Sequence, residues 1–320
     1  MSLLTFSAVI PVSNKAPHVG AAIASALAQR RPPDEILVID DASRDGSRAV
    51  IEGFTDQRLR LLSRTVPGPG GYAARNLAIR EARSQWIAFL DADDLWYPGH
   101  LDTLARMVST AESDVVGAFT GWERVWPDGR RQRDVFGGSL GPRVTETVLD
   151  FDGFLAIWRS LGTSPIWTSA GAFRREALLQ AGLFPEDRCR RGGDADLWLR
   201  IMALGRALAC TEVSAAYHQS TVNQVTRQER RAESHCAWAT LETLAAGAPE
   251  SRRRLLADLK DVLTNTDFRL RAAMERYAPI TGGSASSRAR WLRRLVLEAL
   301  VRLPRPVQER VRAIQRRLTR

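Results

Sequence analysis

The sequence predicts an α/β fold: a mostly parallel sheet flanked by helices, with a helical extension on the C-terminal side. Three observations predict it. Apolar strands alternate with helical stretches from the N-terminus, two of those strands run directly into carboxylates, and 44% of the 320 residues are hydrophobic. That is ample for one sizeable packed domain plus an appendage.

Residues 6–12 (FSAVIPV) read as a buried strand and residues 18–30 as an alanine-rich helix. A second strand, 35–39, ends in Asp40-Asp41 and a polar turn, and a helix over 47–54 follows. A helix then closes near 80–86 and leads into the apolar run Trp86-Ile87-Ala88-Phe89-Leu90, which meets Asp91-Ala92-Asp93-Asp94. Strand, helix, strand, helix is the pattern of a parallel sheet, whose ligands gather at the strands' carboxyl ends. Asp40, Asp41, Asp91 and Asp93 all fall there. If the segment stays extended, Asp91 and Asp93 project to one side and Asp94 to the other. Two converging carboxylates offer hard oxygen ligands suited to Mg²⁺ or Mn²⁺. An acidic turn capping the next helix is the plainer explanation for an isolated Asp-x-Asp.

Further along, residues 98–109 read as a helix, 115–126 as a strand and hairpin around Pro127-Asp128-Gly129, and 136–142 as a glycine-rich loop over the strand ends. Residues 168–173 are expected to be a small-residue strand, with a helix over 175–181 behind it. Asp194 looks like the N-cap of a helix over 195–204 that stops at Gly205, and Asp196 is spaced to pair with Arg200. Beyond Gln224 the chain reads as helical to about residue 270, and 280–287 is a Gly/Ser-rich linker. The expected division is therefore 1–225, 226–279 and 280–320.

Five stretches, in order, resemble the inverting family-two glycosyltransferases with the GT-A fold: Val9-Ile10-Pro11-Val12-Ser13-Asn14, residues 38–47, residues 70–76, the Asp91 to Asp94 tract, and Gly193-Asp194-Ala195-Asp196-Leu197-Trp198. The resemblance covers roughly residues 5–225. It departs from the family where Gly193-Asp194 stands in place of the common Glu-Asp. It implies transfer of a sugar from a nucleotide-diphosphate donor, with a UDP-sugar favoured, to a hydroxyl on a glycan or lipid-linked precursor. By the same resemblance Asp93 holds the metal, with Asp91 supporting it or the ribose and His218 a third metal or phosphate contact. Asp40 and Asp41 bind the nucleoside, Pro11 and Val12 border the base, Asn14 and Ala92 belong to the donor site, and Arg75 faces the base or diphosphate. Asp194 is the expected catalytic base, taking the acceptor's proton as it attacks the anomeric carbon. Two other classes remain open: a nucleotidyltransferase making sugar nucleotides, and a catalytically silent binding module. The first lacks its glycine-rich basic loop, since Pro11 to Lys15 offers one lysine.

Charge and cysteine usage bound the setting. The net charge is +10, yet residues 286–320 hold 11 arginines against Glu298 and Glu309, leaving the remainder nearly neutral. A nucleic-acid enzyme would carry its basic surface beside its active site, so that class is excluded. Trp291, Leu292, Leu295, Val296, Ala299, Leu300 and Leu303, then Val307, Val311, Ile314 and Leu318, recur at helical spacing among those arginines. Such basic amphipathic helices predict a peripheral contact with the inner face of the plasma membrane by an otherwise cytoplasmic protein. Docking on the chain's own domain or a partner is the bland alternative, and a homodimer is compatible with it. Cys189, Cys210 and Cys236 lack zinc or disulfide-framework spacing and are expected to be free thiols in a reducing compartment. No apolar run reaches membrane-spanning length, and the N-terminus does not read as a signal peptide. Of the histidines, His100 is expected on a helix surface; Trp96, Trp167 and Trp198 are expected in the core, with Trp167 also a candidate to stack on a pyranose ring.

Overall fold

The computed structural model describes residues 4–140, 146–187, 189, 192–219, 221, 222 and 236–264. The basic sequence 280–320 lies outside the described residues. The core of the described structure is a sheet in the order β3-β2-β1-β4-β9-β6-β10-β5. The strands are β1 (Phe6–Val12), β2 (Glu35–Asp41), β3 (Leu59–Arg64), β4 (Trp86–Phe89), β5 (Asp94–Trp96), β6 (Val115–Val125), β7 (Arg131–Arg133), β8 (Thr147–Leu149), β9 (Gly171–Arg174) and β10 (Arg206–His218). β3, β2, β1 and β4 run parallel, as do β6 and β10. Short β9 lies antiparallel between β4 and β6, so both groups point their carboxyl ends to one edge. β5, β7 and β8 add antiparallel pairings.

Alternation along the strands builds a core on each face of the sheet. Ala8, Ile10, Ile36, Val38, Trp86 and Ala88 face helices α1 (Ala16–Leu27) and α4 (His100–Ser109). Val9, Leu37, Ile39, Ile87 and Phe89 face the opposite way, as a period of two requires. That second core takes in α3 (Tyr72–Glu81), α6 (Phe151–Leu161) and α8 (Gly193–Met202). In α1, Val19, Ala22, Ile23 and Ala26 bury one stripe at helical spacing. The helices Trp238–Ala245 and Glu250–Thr264 add Leu241, Leu256 and Leu259 to the second core. Arg252 and Arg159 pair across to Asp152 and Asp258, tying Glu250–Thr264 to α6. The C-terminal extension thus shares the main core as far as Thr264.

Several sequence expectations change here. Residues 135–140 are helix α5 (Val135–Leu140) rather than loop, because buried Asp134 accepts from the amide of Gly137 and Phe136 packs against Phe119 at 5.4 Å. A disulfide joins Cys189 to Cys236, with Cα atoms 5.7 Å apart, while Cys210 is buried and free; separation in sequence concealed the pair. His100 is fully buried, stacked on Trp96 at 4.6 Å with Nδ1 against Ser214 Oγ, not on a surface. Trp96 and Trp198 are core, as expected.

Candidate active site

The Asp91 to Asp94 tract does not continue β4. The Asp94 amide donates to the Asp91 carbonyl, closing a tight turn that passes straight into β5. The expected alternation of an extended segment is replaced by turn geometry, yet Asp91 and Asp93 still line one cleft. Asp91 pairs with Arg75, and Asp93 with Lys15 Nζ at 2.6 Å. Asp94 is 1% exposed and accepts from Ser169 Oγ at 2.6 Å. Burial, then the neighbouring Asp91 and Asp93, push its carboxyl well above the usual carboxylate range.

Arg75 is placed by the two glycines ahead of α3. Gly70 and Gly71 have φ of 63° and 69°, a region that favours glycine, and the Gly70 carbonyl accepts from Arg75 Nη1 at 3.0 Å. In the same helix Tyr72 accepts from the Gly193 amide at 2.9 Å and stacks on Phe184. Burial, then Asp194, raise the Tyr72 phenol far above its ordinary value. Asp194 itself sits in the first turn of α8, and Gly192, with φ of 80°, occupies the cap position. The expected N-cap role for Asp194 is therefore corrected: Gly192 takes that position, and Asp194 lines the cleft. Asp196 is fully buried and binds Arg200 and Thr240, as its spacing to Arg200 predicted.

Other expected site residues also make local structural bonds. Asp40 accepts from the Ser43 amide, and Asn14 accepts from the Arg44 amide, so both hold the turn after β2. Asp41 pairs with Arg64 and accepts from the Gly68 amide, and it does reach the cleft. His218, at the end of β10, is not on the cleft wall; burial and His18 hold its pKa below the ordinary histidine value, opposed by Asp93.

The cleft encloses about 550 Å³ across the carboxyl edge of the sheet. Pro11, Val12, Asp41, Arg75, Asp91, Ala92, Asp93 and Asp194 all line it. Among the described residues no three His, Cys, Asp or Glu side chains are grouped to form a metal cage. Two cleft-lining carboxylates instead fit Mg²⁺ or Mn²⁺ of the kind that takes one or two carboxylates and completes its shell with phosphate oxygens and water. Sequence reasoning missed Lys15, Trp122 and Arg124 on the wall. A lone lysine after a strand and aromatics within one carry no local signal; only the folded edge collects them.

A sheet of this order, with carboxylates gathered on its carboxyl edge beside one cleft, defines a protein of the GT-A fold class. The chain belongs to glycosyl transferase family 2, whose family model matches residues 7–180. It is similar to an uncharacterized glycosyltransferase of Rickettsia felis, 32% identical over 200 residues, which are 61% of this chain and 30% of that protein. It is also similar to the Escherichia coli UDP-Glc:alpha-D-GlcNAc-diphosphoundecaprenol beta-1,3-glucosyltransferase WfgD, 36% identical over 102 residues, covering 32% of this chain and 40% of that one. The chain therefore spans less than half the length of either relative. Among solved structures, S. aureus TarS 1–349 in complex with UDP-GlcNAc shares the fold at TM-score 0.66 and 16% identity, over 85% of this chain and 80% of that one.

Proposed function

We propose that this protein transfers a sugar from a nucleoside-diphosphate sugar, with a UDP-sugar favoured, to a hydroxyl of a glycan or lipid-linked acceptor, inverting the anomeric centre. One observation carries this reading: Asp91, Asp93, Arg75 and Asp194 share a single cleft at the sheet's carboxyl edge, where open α/β sheets bind their ligands. The uses of UDP-GlcNAc in the TarS complex and of a UDP-Glc donor and lipid diphosphate acceptor by WfgD support the donor and acceptor classes.

In this reading Asp93, with Asp91, would hold Mg²⁺ or Mn²⁺, which supplies Lewis-acid neutralisation of the departing diphosphate. Arg75 and Lys15 now neutralise the two carboxylates and would turn part of that charge toward the incoming diphosphate. Asp194 takes the proton from the acceptor hydroxyl as its oxygen attacks the anomeric carbon, while the bond to the diphosphate breaks on the opposite face. A single displacement assisted by one base gives inversion. Arginines in the 286–320 sequence would hold the enzyme at an anionic membrane face, beside a lipid-linked acceptor.

The test is a panel of sugar nucleotides scored for thermal stabilisation of the whole protein with and without Mn²⁺, followed by product analysis. The expected result is a metal-enhanced UDP-sugar response that Asp93→Asn abolishes, with free nucleoside diphosphate and a product of inverted configuration. Pyrophosphate release, or retention at the anomeric carbon, overturns the reading.

A further inference from the structure

The cleft continues past the DxD turn onto a second, aromatic half, and its composition changes there. Trp122 lies 4.2 Å from Trp167 between ring centroids, and Trp167 lies 4.4 Å from Tyr217. Trp122 and Tyr217 complete the triangle at 6.1 Å, edge to face. All three line the cleft. They are also only partly buried, whereas Trp86, Trp158 and Trp198 in the core are at most 1% exposed. Three large aromatic rings partly exposed on one polar cleft are of the kind that line ligand sites.

Their place in the sheet says which ligand. Trp122 belongs to the end of β6, Tyr217 to the end of β10, and Trp167 stands just ahead of β9. β4 and β9 thus separate them from Pro11, Val12 and Asp41 at the ends of β1 and β2. The patch is fastened to the reacting centre: Tyr217 is in register with Asp94 on β5. Ser169, two residues past Trp167, binds the Asp94 carboxyl and accepts from the Asp91 amide. Arg124 lies over the Trp122 ring at 5.4 Å and forms part of the cleft rim. A pyranose presents weakly positive C–H groups on one face and hydroxyls around its edge, which suits an electron-rich aromatic face with polar groups at the rim.

We infer that Trp122, Trp167 and Tyr217 form the platform on which the sugar ring of the acceptor stacks, making the acceptor a glycan rather than a bare lipid or a protein side chain. This inference rests on the glycosyltransferase reading. It predicts that acceptor binding and donor binding can be lost separately.

The probes are UDP and the methyl glycosides and β-linked disaccharides of glucose, N-acetylglucosamine, galactose and mannose, titrated into the whole protein at saturating UDP. Tryptophan fluorescence gives affinities, and saturation-transfer NMR gives the ring protons in contact. At least one sugar is expected to bind saturably, with transfer concentrated on the C–H groups of one ring face. Trp167→Ala should weaken it by about tenfold or more, and Trp167→Phe should restore it to within about threefold. UDP affinity should stay within about twofold in both variants. Should Trp167→Ala fail to fold, Tyr217→Ala makes the same comparison. No saturable sugar binding in the wild type, unchanged binding in the Ala variant, or loss of UDP affinity in its place overturns the platform. Absence of UDP binding to the wild type would instead count against the glycosyltransferase reading itself.

Discussion

Asp194 and Asp196 are two residues apart in the first turn of α8 and face different surroundings. Asp196 faces inward, fully buried, where Arg200 and Thr240 satisfy it. Asp194 faces the cleft. Neutralising each by an isosteric amide should therefore separate chemistry from folding. Asp194→Asn is expected to keep the wild-type unfolding midpoint and nucleotide affinity while lowering sugar transfer by roughly a hundredfold or more. Asp196→Asn is expected to lose about 2 to 3 kcal/mol of stability, because Arg200 and Thr240 then face a neutral amide in a buried position. Denaturant unfolding, nucleotide titration and a transfer assay on both variants check this. Near-normal turnover in Asp194→Asn would leave that residue a structural member of the helix's first turn.

Elements announced themselves in the sequence when their burial was local in character. β1, β2 and β4 are continuous apolar runs, and the alanine-rich α1 shows its buried stripe at helical spacing, so both were legible. The carboxylates that follow those strands were legible with them, which is why most expected donor-side residues do reach one cleft. What stayed hidden depended on distant partners. Gly137 and Gly138 disguised α5, whose formation relies on capping by Asp134 and on Phe119 from β6. The buried place of His100 needed Ser214, 114 residues away. The Cys189–Cys236 bond is the same kind of feature, fixing the segment just before α8 to the segment just before the helix Trp238–Ala245. The cysteines are 47 residues apart in sequence, and closing such a loop is worth about 4 kcal/mol on chain-entropy grounds. Adding a dithiol reductant should therefore lower the denaturant midpoint of the wild type and leave that of Cys236→Ser unchanged. Equal midpoints with and without reductant in the wild type would remove the crosslink from the stability of this fold.

At the scale of the whole molecule, charge and apolar surface are distributed unevenly along the chain. Nine of the ten net positive charges fall in residues 286–320, so everything before them is close to neutral. No described helix is long and apolar enough to cross a membrane. The exposed large hydrophobics of the described residues, Val66, Val148, Leu179, Leu204 and Val222, sit on five separate segments, and single apolar residues of this kind are ordinary surface. The membrane contact we propose falls on the basic sequence, whose tryptophan, leucines and valines recur at helical spacing between arginines. Each arginine near an anionic surface contributes about 1 kcal/mol, and that attraction decays within a Debye length. Binding should accordingly require acidic lipid and weaken as salt rises. The check is sedimentation of the full chain, and of a chain ending at Ile280, with vesicles of phosphatidylglycerol and of phosphatidylcholine. The full chain should pellet with the anionic vesicles alone, be released by added salt, and lose that binding on truncation. Equal sedimentation of the two chains would assign the apolar stripes to the protein's own surface or to a second subunit, and the acceptor would have to reach the aromatic half of the cleft from solution.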